Sequence, residues 1–275
     1  MAKATSVPRR RIQAFQKKIY RYFAKYGRDL PWRGTTDPYR ILVSEIMLQQ
    51  TQVPRATRIY PRFVAAFPNV RSLARASLAE VMREWQGMGY NRRALSLKRL
   101  AGVVTEHHNG VIPHEIEELK KLPGIGCATA CSIRAFAFNK PAVFIETNIR
   151  SVFIEHFFKG KTDVRDSQII PLVEAALDRK DPRKWYSALM DYGTDLKKRQ
   201  PNPSKKSAHY TKQSRFEGSD RQIRGTILKN LTKRHTITEA ALLKKIPTDK
   251  SRIRGILRGL VSEGLIRKKS GAYLI

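Results

Sequence analysis

The sequence predicts an all-α body followed by a small mixed unit of three helices and a hairpin. Three observations carry this. Apolar residues recur at helical spacing as far as residue 196, and strand-like alternation is almost absent there. Over residues 197–220 the composition shifts to Lys, Ser, Pro, Asn and Gln, with few aliphatics. Beyond that, capped helical stretches end in a strand–turn–strand pattern. The expected organisation is therefore a helical domain over 1–196, a basic irregular linker over 197–220 and a small α+β domain over 221–275.

Each element has its own signal. Ile12, Phe15, Ile19, Tyr22 and Phe23 share one helical face, and Gly27 ends that run. Leu30-Pro31-Trp32-Arg33-Gly34 reads as a loop. Asp37 and Pro38 start a second helix, because Pro suits the first turn and Asp can cap it. Helices are predicted over 55–67, 72–76, 78–85, 91–104, 116–121, 168–177 and 183–192. In the C-terminal unit a helix spans 221–233, Thr238 caps a second over 239–245, and Asp249 or Ser251 caps a third. Leu265 to Ile275 reads as a hairpin closed by Ser270-Gly271. Three helices and a hairpin form a winged-helix pattern. Arg252, Arg254 and Arg258 on its third helix, with Lys268 and Lys269 on the wing, would suit duplex binding. Such units also serve as protein docks.

Charge narrows the partners. Of 275 residues, 54 are Lys or Arg and 23 are Asp or Glu, a formal net charge of +31. An excess this large favours a polyanion: nucleic acid first, an anionic membrane second. No apolar run is long enough to span a bilayer, and the basic segment 1–11 lacks a secretory core. That segment reads as a frayed end or an arm touching phosphates. Cys127 and Cys131 are the only cysteines. With no second ligand pair they support neither a disulfide scaffold nor a zinc site, and they read as small buried residues in a reducing cytoplasm.

One stretch concentrates chemistry. In Leu122-Pro123-Gly124-Ile125-Gly126 two glycines precede an apolar helix. Free N–H groups and the helix dipole at such a turn suit a phosphate, although many such turns only pack. Glu146 follows at a turn before the next helix. Upstream, Glu45 lies inside an apolar helix, ahead of Gln49-Gln50-Thr51-Gln52, whose amides and hydroxyl could read base edges or merely end the helix. Gly87-Met88-Gly89-Tyr90 is a glycine-rich turn with an aromatic tip.

In order and spacing, five segments resemble the helix-hairpin-helix DNA glycosylases, most closely the MutY branch of the endonuclease III superfamily. They are Leu30-Pro31-Trp32-Arg33, the run from Ser44 to Val53, Gly87-Met88-Gly89-Tyr90, Leu122-Pro123-Gly124-Ile125-Gly126 and Asn148-Ile149-Arg150. The resemblance implies an all-α, two-lobed glycosylase domain that flips a nucleotide out of double-stranded DNA. It implies Glu45 as general acid to a purine ring nitrogen and an ionised Glu146 as stabiliser of an oxocarbenium-like sugar. Trp32, Arg33, Leu48 and Asp191 would line the base pocket. Gln50 would wedge into the stack, with Gln49 beside it, and Thr51 and Tyr90 would contact the base opposite the lesion or its neighbours. Gly124, Ile125 and Gly126, with Asn148, would hold the strand. No resident metal is implied beyond a monovalent cation at the hairpin carbonyls, and a monomer is the default.

Four departures qualify this. Glu146 stands where the family has Asp, so one extra methylene moves the carboxylate by about 1.5 Å unless the backbone compensates. Ala128 replaces the lysine of bifunctional members, which removes the Schiff-base nucleophile. The four cysteines of an iron–sulfur loop after Asp191-Tyr192-Gly193 are missing, so no cluster and no other cofactor is expected; the basic stretch 197–212 could replace that loop's contact with DNA. The separate domain that reads 8-oxoguanine in MutY is replaced by the winged-helix pattern. The expected function is a monofunctional glycosylase of base excision repair, cytoplasmic or nucleoid-associated, acting on adenine (in a mismatch or opposite 8-oxoguanine) or on hypoxanthine. The alternatives are a mismatch thymine or uracil glycosylase and a non-catalytic protein that binds damaged DNA.

Overall fold

A computed structural model describes residues 7–234 and 236–275. The first half of the proposed N-terminal arm, residues 1–6, lies outside the described residues. The helices are α1 (Arg9–Tyr26), α2 (Pro38–Leu48), α3 (Val53–Ala66), α4 (Val70–Arg75), α5 (Leu78–Glu84), α6 (Arg92–His107), α7 (Ile116–Lys121), α8 (Cys127–Phe138), α9 (Thr147–Phe157), α10 (Asp166–Ala176) and α11 (Pro182–Arg199). After a 3-10 turn at Pro203–Lys206 come α12 (Asp220–Arg234), β1 (Thr236–Thr238), α13 (Glu239–Lys245), α14 (Lys250–Ser262), β2 (Arg267–Lys269) and β3 (Ala272–Leu274). The fold is mostly helical, as expected.

Local chemistry sets many of these starts. Asn69 with Ser72 and Ser77 with Glu80 form reciprocal capping boxes at α4 and α5. Asp181 accepts from the Lys184 N–H, with Pro182 at the first turn of α11. Thr238 caps α13 as expected, and Asp249 caps α14 by accepting from the Arg252 N–H.

The chain divides into two compact units. One comprises residues 7–41, His114–Lys120 and Gly126–Lys212. Its core gathers Phe15, Ile19, Phe153, Trp185 and Tyr186 from α1, α9 and α11. The Phe15 ring meets Phe153 edge-on at 5.2 Å and Trp185 at 5.9 Å. The other unit comprises Leu42–Pro113, Lys121–Ile125 and Gln213–Ile275. Leu42, Ile46, Phe63, Leu73, Trp85 and Leu97 are buried in it, and Phe63 meets Trp85 edge-on at 5.7 Å.

Three features differ from the sequence reading. α11 runs seven residues past the predicted end, through Arg199, because Leu196 is buried and extends its apolar face. The stretch expected as linker is partly ordered: Val164 donates to the Lys206 carbonyl at 2.9 Å and accepts from the Ala208 N–H at 3.0 Å. At the C-terminus a third strand was not foreseen. β1 pairs with β3, giving a three-stranded antiparallel sheet of order β1-β3-β2. The Ser270-Gly271 turn is as expected, with both residues at positive φ (47° and 75°).

Candidate functional site

The hairpin turn needs glycine at Gly124. Its φ is +83°, and a Cβ there would come within 2.8 Å of the Ser96 Cβ. The Ile125 N–H closes the turn on the Leu122 carbonyl at 3.1 Å, and its side chain is buried. The Gly124 carbonyl accepts a long bond, 3.4 Å, from Gln49 Nε2. Gly126 is the N-cap of α8 and gives it no side-chain cap, while Gly126, Cys127 and Ala128 are all exposed. Main-chain donors at this helix start therefore face solvent, the arrangement that suits a phosphate.

Glu45 sits on α2, half-buried between fully buried neighbours Ser44 and Ile46. Just beyond it the backbone is strained: Gln50 has φ +53° and its side chain is exposed. Tyr90, across the same unit, has φ +48°. Non-glycine residues in this region store strain, and they cluster at sites where a side chain must be aimed.

Arg93 on α6, which no sequence motif singled out, holds these two segments together. Its Nη1 donates to the carbonyls of Ile46 (2.9 Å) and Met47 (2.8 Å), and Nη2 to Thr51 Oγ1 (2.9 Å) and the Gly89 carbonyl (3.1 Å). The guanidinium also lies 5.3 Å from the Tyr90 ring centre. Burial pushes its pKa down to about 10. Thr51 is thus tied down by Arg93. The Tyr90 hydroxyl accepts from Arg221 Nη1 at 3.1 Å and from Gln213.

Glu146 is the N-cap of α9. Its Oε1 accepts from the Ile149 N–H at 2.8 Å and its Oε2 from Asn148 Nδ2 at 3.0 Å. The carboxylate is therefore aimed by the helix start, and Asn148 helps to orient it through its amide N–H. Asn148 also accepts weakly from Thr194 Oγ1 at 3.5 Å. Gly193 is required beside it, since a Cβ there would lie 2.7 Å from the Asn148 carbonyl oxygen. The half-buried Lys197 feels this carboxylate: burial lowers its pKa and Glu146 opposes the fall.

Asp191, expected in the base pocket, is bonded to two arginines. Its side chain is 1% exposed and bonds Arg33 through both oxygens at 2.7 Å, Arg28 Nε at 2.7 Å and the Arg28 N–H at 2.8 Å. Burial raises its pKa, but the bonds from Arg33 and Arg28 outweigh that and hold it below the usual range. Arg33 is thereby committed to an ion pair, while Trp32 is buried and Leu48 half-buried. Arg252 and Arg254 are likewise already paired, with Asp220 and Glu239 at 2.7 Å each, because both acids lie at the starts of neighbouring helices. All five C-terminal cations singled out for DNA, Arg252, Arg254, Arg258, Lys268 and Lys269, are exposed, and Lys268 lies 5.6 Å from the Tyr273 ring centre.

Among the described residues, no helix is long and apolar enough to cross a membrane, and no group of three or more His, Cys, Asp or Glu could hold a metal ion.

Residues 43–170 match the HhH-GPD superfamily of base excision DNA repair proteins. The chain is 32% identical over 276 residues to an adenine DNA glycosylase of Mycobacterium tuberculosis, covering 90% of this chain and 88% of that one. An adenine DNA glycosylase of Mycolicibacterium smegmatis is 32% identical over 259 residues, covering 88% of each. Among solved structures, a thermostable thymine-DNA glycosylase superposes with a TM-score of 0.60 at 28% identity, over 67% of this chain and 86% of that one. An endonuclease III trapped covalently on DNA shares the fold, with a TM-score of 0.54 at 17% identity over 68% of this chain and 85% of the other. The hairpin turn, the helix that carries Glu45 and this length of shared sequence have one consequence: the chain belongs to the helix-hairpin-helix superfamily of base excision DNA repair glycosylases.

Proposed function

We propose that the chain is a monofunctional DNA N-glycosylase that removes a mispaired or damaged purine, adenine first. The observation that carries this reading is the likeness to adenine DNA glycosylases along 90% of the chain. Glu45, protonated, would pass its proton to a ring nitrogen of the flipped base and neutralise the charge that develops on the leaving group. Glu146, ionised, would stabilise the oxocarbenium-like sugar while water attacks. Its place at the start of α9 supports this role: two N–H donors fix the longer side chain where an Asp would otherwise stand. Ala128 offers no amine, so the product would be an abasic site without strand cleavage by a Schiff base.

The residues present do not fit an iron–sulfur cluster. Both cysteines lie in α8, and the segment after Gly193 contains none. The order of elements from α12 to β3, with a three-stranded antiparallel sheet, supports a winged-helix unit over 221–275. The enzyme would act as a monomer on double-stranded DNA in the cytoplasm.

A panel of duplexes, each with one altered base or mismatch, tests this. Hot alkali after incubation should nick the strand at adenine paired with guanine or 8-oxoguanine, or at hypoxanthine. Glu45→Gln should lose cleavage by on the order of 10³-fold or more while binding within a few-fold of the parent. Normal cleavage by that variant, or binding without cleavage anywhere on the panel, would overturn the assignment. A second reading, removal of mismatched thymine, is favoured by the likeness to the thymine-DNA glycosylase and is decided on the same panel.

A further inference from the structure

Within the unit that carries Glu45, the C-terminal segment builds part of a cavity with the strained residues described above. The cavity is about 430 Å³, and its lining includes Gln50, Tyr90, Arg92, Arg221, Arg224 and Glu263. That volume falls within the roughly 300–1,000 Å³ of small-ligand sites. Arg221 and Arg224 come from the first two turns of α12, and Glu263 from the end of α14.

The chemistry of the walls is specific. The Tyr90 ring lies beneath two guanidiniums, with Arg93 at 5.3 Å and Arg221 at 6.0 Å from its centre. Arg221 donates to neutral acceptors, the Tyr90 hydroxyl at 3.1 Å and the Ser214 carbonyl at 2.7 Å, so its charge is not neutralised by these partners. Glu263 bridges Arg92, at 2.7 Å, and Arg224. This bridge fixes both forks and joins α14 to α6 and α12. Gln50 brings an exposed amide on a backbone held at φ +53°. An aromatic face flanked by planar cations suits a base, an amide suits a base edge, and uncompensated guanidinium suits a phosphate.

We propose that the C-terminal segment completes a pocket for one unstacked nucleotide of a DNA strand: Arg221 grips its phosphate and, with Tyr90, stacks its base, and Gln50 reads the base edge. The segment then takes part in recognition at the wedge itself, in addition to any duplex contact made by its exposed wing. The proposal rests on the glycosylase reading for its DNA substrate, but it is measured without cleavage, so the two fail separately.

The test uses the full chain and two duplexes of one sequence, one fully paired and one with a single adenine left opposite a stable abasic residue. The parent should prefer the second. Arg221→Ala should weaken binding to the unpaired duplex about 30-fold, the scale of one stacked base and its phosphate. It should weaken binding to the paired duplex by less than about 3-fold, the scale of one phosphate contact. Arg221→Lys, which keeps the charge and loses the planar fork, guards against misfolding: it should keep paired-duplex affinity and lose most of the preference. Lys268→Ala, on the wing, should weaken both duplexes equally. Equal losses for Arg221→Ala on both duplexes, or loss on neither, would overturn the pocket. Free deoxyadenosine monophosphate competing as well as the unpaired duplex would overturn its assignment to a strand.

Discussion

The two units hold their key loops with half-buried arginines in opposite ways. In one, Arg28 and Arg33 close on Asp191, so full charge meets full charge and the carboxylate is held below its usual pKa range. In the other, Arg93 is met by carbonyl dipoles and a threonine hydroxyl, and burial lowers its pKa to about 10. An ion pair offsets desolvation and locks geometry. A cage of dipoles offsets it less, but a single fork can tie several backbone segments together. The first arrangement makes a rigid joint between the loop at residue 30 and α11. The second holds two strained residues, Gln50 and Tyr90, where their side chains can be used. Strain of about 1–3 kcal/mol per residue persists only when its surroundings over-determine it, and Arg93 supplies that constraint.

The largest effect that would break this contrast is expected at Asp191. Asp191→Asn leaves two guanidiniums without their acid and should cost about 3–5 kcal/mol in urea denaturation. DNA binding per folded molecule should stay within a few-fold of the parent; selective loss of binding would mean that Asp191 also serves the site. Arg93→Ala should cost less, about 2–3 kcal/mol, because carbonyls freed near a loop can turn to water. It should, however, lose the preference for a duplex with an unpaired base, as the strained turn relaxes. If Arg93→Ala keeps that preference, the strain has no functional part.

A smaller effect sharpens the picture of the first unit. His156 is half-buried against the Tyr192 hydroxyl at 3.1 Å, and burial, with Lys18 adding to it, lowers its pKa from 6.5 to about 4. Because the folded value is the depressed one, this residue's contribution is fully present above pH 6.5 and is lost as the pH falls toward 4. The melting temperature should therefore drop across that window, and His156→Gln should flatten the drop. An unchanged slope in that variant would place the acid sensitivity elsewhere.

Much of the architecture was legible because it is local. Thr238 and Asp249 cap their helices, Ser270-Gly271 closes its hairpin, and Gly124 marks the turn, each through contacts within a few residues. Glu45 and Glu146 stood out in the sequence, but their candidate roles came only through a resemblance, since a half-buried Glu45 on an apolar helix has no local signature of chemistry. Arg93 had only a weak signal, an arginine three residues after the aromatic tip of a glycine turn. That Arg252 and Arg254 would meet acids was not legible, because charge alone does not reveal partners: Asp220 lies 32 residues from Arg252 and Glu239 lies 15 from Arg254.

Helix positions, caps, turns and a net charge of +31 that suits a polyanion were determined by the chain's own pattern, because periodicity and capping act over a few residues and net charge needs no geometry. Which cation would be spent on an internal acid, which carboxylate would be aimed by a helix start, and that residues 213–275 would share a unit with Gln50 and Tyr90 were decided only by the tertiary structure. Those outcomes depend on groups far apart in sequence meeting at hydrogen-bond distance, and each desolvated charge takes whichever partner the packing brings to it.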